Sequence, residues 1–109
     1  MHVEFDLDIL KPHNPSNWDL ALALKEIPGV SYVQIKTDEI DQKTTSIFLN
    51  IKCSVEVGLE TIKDKLEDMN CALHSVDRVQ IEEWDNNIAM IAIRLPLFSP
   101  VMNWVDNNW

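Results

Sequence analysis

The chain has 109 residues, 46% of them hydrophobic and 25% charged, with only two glycines, a composition that suits one globular domain around one core. Eighteen Asp and Glu against nine Lys and Arg leave a formal charge of −9, the wrong sign for a phosphate backbone or an anionic membrane surface, so no nucleic-acid partner is expected. The most apolar run, Ile88 to Val105, is broken by Arg94, Pro96 and Pro100 and falls short of the roughly 20 clean apolar residues of a membrane span.

Val3, Phe5, Leu7 and Ile9 alternate with Glu4, Asp6 and Asp8, the period of two that gives a strand one buried face and, here, one acidic face. Lys11-Pro12-His13-Asn14-Pro15 breaks it, because proline lacks an N–H and restrains the residue before it. Ser16 and Asp19 form a capping signal, and Leu20, Ala23, Leu24 and Ile27 share one helical face. They predict a helix over Asn17–Ile27, stopped by Pro28-Gly29. Val33 and Ile35 alternate with Tyr32, Gln34 and Lys36 in a second strand, and Ile47, Leu49, Ile51 and Cys53 with Phe48, Asn50 and Lys52 in a third. The polar run Asp38 to Thr45 joins the two as a hairpin.

Leu59, Ile62, Leu66 and Met69 follow helical spacing and predict a second helix over Leu59–Met69, with Asn70 in place of a glycine cap. Leu73 to Ile81 makes a fourth strand. Asp85-Asn86-Asn87 is turn chemistry, and Ile88 to Leu95 beyond it reads as a fifth strand hairpinned onto the fourth. Phe98, Trp104 and Trp109 make the remaining tail costly to leave in water, so it is expected to dock, on a neighbouring subunit in the preferred reading. The expected division is a domain over residues 1–84 and an apolar extension over residues 85–109.

This order of elements predicts an α+β, ferredoxin-like βαββαβ sandwich with an antiparallel sheet of order 4-1-3-2. Phe5, Leu7, Ile9, Leu20, Leu24, Val33, Leu49, Ile51, Ile62 and Leu66 are its expected core. Three motifs are set in that frame: Leu10-Lys11-Pro12-His13, Glu39-Ile40-Asp41-Gln42 and His74-Ser75-Val76-Asp77. With the Gly29-Val30 lead into the second strand, they make the chain resemble the archaeal domain-of-unknown-function family numbered 211, over about Phe5 to Val79. The resemblance implies a cytoplasmic protein that assembles into homo-oligomers, with a ring as the expected form. A cytoplasmic location also fits Cys53 and Cys71, which read as packed free thiols, and an N-terminus without a basic, then apolar, then small-residue export signal.

In a 4-1-3-2 sheet the start of the fourth strand lies beside the end of the first, which places Asp8, His13, His74 and Asp77 at one end. Two imidazoles and two carboxylates are the candidate ligands of a divalent cation such as calcium, magnesium or zinc. The structural alternative has His13 closing the proline turn and Asp77 paired with Arg78 or Lys11. The acidic row Glu4, Asp6 and Asp8 is a second candidate, weighed against a solvated face or an oligomer interface with Lys36 and Lys52 as counter-charges. The hairpin tip, with Glu39, Asp41 and Gln42, is a third. No nucleophile with its base, phosphate loop or GxSxG motif is present, so the expectation is a non-enzymatic, oligomeric binding or regulatory module. The runner-up is a copper-chaperone-like metal-handling domain, although Pro12-His13-Asn14-Pro15 stands where that class carries its CxxC. A small enzyme with a pocket between subunits ranks third.

Overall fold

The alternation of the first and third apolar runs is realised as two central strands paired along their whole length. The computed structural model describes residues 1–83, with elements in the order β1 (His2–Pro12), α1 (Asn17–Lys25), β2 (Val30–Ile40), β3 (Thr44–Ser54), α2 (Gly58–Asp68) and β4 (Ala72–Glu82). The strands form one antiparallel sheet of order β2-β3-β1-β4, the ferredoxin-like arrangement expected from the sequence. The expected fifth strand, the docking tail and the boundary at residue 84 lie outside the described residues.

Both helices pack on one face. Val3, Phe5, Leu7 and Ile9 from β1 and Ile47, Leu49, Ile51 and Cys53 from β3 meet Leu20 and Leu24 of α1 and Ile62 and Leu66 of α2 in a single buried cluster. Val33, expected in the core, is only half-buried against it. α1 begins at Ser16, whose hydroxyl accepts the Asp19 amide at 3.1 Å, and ends two residues earlier than the apolar spacing predicts. Ile27 precedes Pro28, which disfavours the helical region for it, yet it stays buried in the turn. α2 closes as the Asn70 signal suggests. Asn70 takes a left-handed φ of 63°, its amide donates to Glu67 O, and that of Cys71 donates to Leu66 O, both at 2.9 Å, the Schellman pattern that satisfies the last helical carbonyls. Among the described residues no helix is long and apolar enough to cross a membrane.

Two features depart from the expected regularity. Lys11, which reads as a strand breaker, continues β1 and is only 3% exposed. Its ammonium donates to the carbonyls of Pro12, His13 and Pro15 at 3.0, 3.3 and 2.7 Å. The proline turn thus folds around a buried charge whose three N–H bonds are all used, as burial of an ammonium demands. The second departure is in the edge strands. Between β1 and β4 the register advances from Asp6↔Arg78 to Leu7↔Val76, and from Asp8↔Ser75 to Ile9↔Leu73, so that Asp77 and His74 are each an extra, bulged residue. β2 has the same irregularity at Ser31 and Asp38.

The lengths of the elements decide what remains open. Strands of 11 residues run about 36 Å, whereas helices of 9 and 11 residues reach only about 14–17 Å. What is exposed on the inner face is the β4 edge: Val76, Val79 and Ile81 are 40%, 53% and 60% exposed, whereas their β1 partners Leu7, Phe5 and Val3 are buried.

Two stability outcomes follow. Leu49→Ala, at a side chain 1% exposed, should cost about 2–5 kcal/mol in denaturant unfolding. Lys11→Met, which keeps the bulk but removes every donor to the three carbonyls, should cost about 1–3 kcal/mol; unchanged stability would mean that water serves those carbonyls equally well.

Candidate functional site

The face of the sheet turned away from the helices is built by register. Rows across it read Tyr32, Lys52, Glu4, Gln80; then Gln34, Asn50, Asp6, Arg78; then Lys36, Phe48, Asp8, Ser75; and then Glu39, Ser46, Leu10, Ala72. Neighbouring carboxylates of β1 would repel one another, and an arginine from the edge strand resolves this. Arg78 Nη2 lies 2.8 Å from Glu4 Oε2 and its Nε 2.6 Å from Asp6 Oδ2. From the other side the Asn50 amide donates to Glu4 Oε2 at 2.7 Å and to Asp6 Oδ1 at 2.6 Å. The chain of contacts runs on through Gln80 to Glu82, which His2 Nε2 approaches at 3.1 Å. The hydrogen bond from Asn50 holds the Glu4 carboxyl below its ordinary range, and that from Arg78 does the same for Asp6. Both carboxylates in turn raise the Arg78 guanidinium, Asp6 most of all.

Two shallow recesses open on this face. One, near the loop end, is lined by Asp8, Leu10, Ser46 and His74 and holds about 190 Å³. The other, of about 290 Å³, is lined by polar Asp6, Gln34, Lys36, Asn50 and Asp77 with Phe48 among them. Phe48, Tyr32 and Leu10 are 40–41% exposed here, and Lys52 Nζ sits 4.7 Å above the centre of the Tyr32 ring.

The four residues expected to converge are distributed over three places. Asp8 and His74 line the loop-end recess together. Asp77 lines the neighbouring recess and accepts the Ser75 hydroxyl at 2.7 Å, so it pairs with neither Arg78 nor Lys11. His13 lies in the proline turn, but its ring reaches across to the β2–β3 hairpin: its Nε2 donates to Gln42 O at 3.0 Å, which leaves Nδ1 to accept the Thr45 hydroxyl at 3.1 Å in the neutral ring. Among the described residues no group of three or more His, Cys, Asp or Glu side chains is placed to share one metal ion. Cys53 and Cys71 are both buried and free, and burial pushes both thiols up, away from the thiolate that soft metals bind.

The residue that sequence reading missed is Arg78. Its signal was present in the spacing of Leu73, Val76, Val79 and Ile81. Steps of three in an otherwise alternating strand mark extra residues; strict alternation from Leu73 would also put Arg78 on the acidic face, but opposite Glu4, and the two extra residues set it opposite Asp6.

The family model for DUF211, described as "Uncharacterized ArCR", matches residues 4–87. An uncharacterized protein of Methanocaldococcus jannaschii is 36% identical over 76 residues, covering 67% of this chain and 74% of that protein.

Because folding lowers the Glu4 and Asp6 pKa values, the folded state binds fewer protons than the unfolded chain around the ordinary carboxylate range near pH 4. Their contribution to stability is complete above that range and is lost as pH falls through the lowered folded-state values. Melting temperatures from pH 6 to pH 3 should therefore fall less steeply for Arg78→Met than for the wild type; parallel curves would show that Arg78 does not hold these carboxylates.

Proposed function

The chain belongs to the DUF211 family, and on that premise we propose that it is a non-enzymatic binding or regulatory module of the cytoplasm that works as a homo-oligomer. Its working surface is the outer face of the sheet, and the observation that carries the reading is that both helices pack on the opposite side, leaving a face with ordered charges and two recesses. Side chains locked by hydrogen bonds before a ligand arrives lose little freedom on binding it. The Asp8–His74 recess at the loop end takes a small ligand or a divalent cation, with one carboxylate and one imidazole from this chain and the remaining contacts from water or a neighbouring subunit. Reduced, buried cysteines suit a reducing compartment. The soft-metal alternative finds no support in the inaccessible thiols.

Calorimetric titration of the full chain with calcium, magnesium and zinc, alongside light scattering, tests this. The expected result is a mass above that of one chain and a binding isotherm for one of the ions whose affinity drops at least tenfold in His74→Ala and Asp8→Asn. A single-chain mass with no heat of binding would end the reading.

A further inference from the structure

Charge is not spread evenly over the outer face. The β1–β4 half carries Glu4, Asp6, Asp8, Asp77 and Glu82 with Arg78 as the one cation among them, while the β2–β3 half carries Lys36 and Lys52. Among the described residues neither lysine has a carboxylate within ion-pair distance, and Lys36 is exposed. On the lysine half the acid at a paired position is Glu39, preceded by the bulged, exposed Asp38, and the Glu39 row ends in Leu10 and Ala72, which bear no charge. Exposed Phe48, Tyr32 and Leu10 add apolar area.

From this dipolar pattern we infer that the outer face is the contact between two copies of the chain, packed sheet on sheet about a two-fold axis parallel to the strands. Such an axis reverses the order of residues within each row and leaves the rows themselves aligned. Lys52 of one copy then lies over Glu4 of the other, and Lys36 over Ser75, beside Asp8 and Asp77. Gln34 lies over Arg78, and Glu39 over Ala72. A two-fold axis across the strands would instead place acid over acid, so the charges select one orientation. Strands remain aligned between the copies, the usual geometry of stacked sheets about 10 Å apart. The area is also adequate. Four strands of 11 residues present about 19 by 36 Å, so that close to 1,400 Å² is buried in total, within the range of stable specific interfaces.

This rests on the homo-oligomeric reading above and is tested separately by charge reversal in the full chain. Lys36→Glu places a negative charge over the partner's Ser75, beside Asp8 and Asp77, and Asp8→Lys with Asp77→Lys places two positive charges beside the partner's Lys36. Each variant alone should give particles with half as many chains as the wild type by sedimentation, and an equimolar mixture should restore the wild-type mass, because each half then meets its opposite. Lys36→Gln, milder and checked by circular dichroism, should lie between. Oligomers of unchanged mass in both variants would overturn this contact, whether the face is covered by residues 84–109 or by nothing, and would leave the homo-oligomeric reading standing. A mixture that stays small would overturn it as well, and a wild type of single-chain mass would remove both.

Discussion

β1 and β3 pair without a single slip over 11 residues, from His2↔Ser54 to Pro12↔Thr44, and each side chain's face is fixed by that pairing. Because the strand period is two, one register places Phe5, Leu7 and Ile9 beside Ile51, Leu49 and Ile47 under the helices, and in the same stroke sets Asp6 across from Asn50 on the other side. Core and outer surface are thus not independent choices. The hydrophobic gain from the inner row enforces the acidic outer row, whose mutual repulsion must then be relieved.

Relief comes from a single guanidinium and a single amide. Arg78 and Asn50 between them make four contacts of 2.6–2.8 Å to Glu4 and Asp6, a planar fork and a fixed amide where flexible lysines would give looser geometry. Of the remaining charges, Asp77 accepts the Ser75 hydroxyl and Lys52 lies over the Tyr32 ring, while Lys36 and Asp8 form no ion pair among the described residues. Short helices contribute to the same outcome, because they cover part of one face and none of the other.

Regular period-two and helical spacing made β1, β3 and both helices legible in the sequence, and Leu7, Leu20, Leu49 and Ile62 are buried as read. Ile27 and Val33 show the margin of that reading: a proline after the first and an edge position for the second reduce what spacing alone would assign. Lys11 was illegible for a different reason. Its burial depends on carbonyls that converge only once the chain has turned through Pro12 to Pro15, and a lone charge beside a proline otherwise signals a surface turn. The candidate metal set is spread over three places, because the His13 ring turns to the β2–β3 hairpin and the first–fourth strand alignment contains extra residues. The two bulges separate His74 from Asp77 and assign them to different recesses. The counter-charge to the acidic row was sought in Lys36 and Lys52, although strict alternation from Leu73 also points Arg78 to the acidic face, opposite Glu4 where the bulges set it opposite Asp6.

The bulges also set where the gene can change length. In β1 or β3 the insertion or deletion of one codon would exchange Glu4, Asp6 and Asp8 for Phe5, Leu7 and Ile9 across the whole sheet, a change no core survives. In β2 and β4 the alternation is already reset twice, so a gained or lost residue at Ser31, Asp38, His74 or Asp77 disturbs only the neighbouring pairs. Among relatives, single-residue gaps in these two strands are therefore to be expected, and alignments that place them in β1 or β3 are better redrawn.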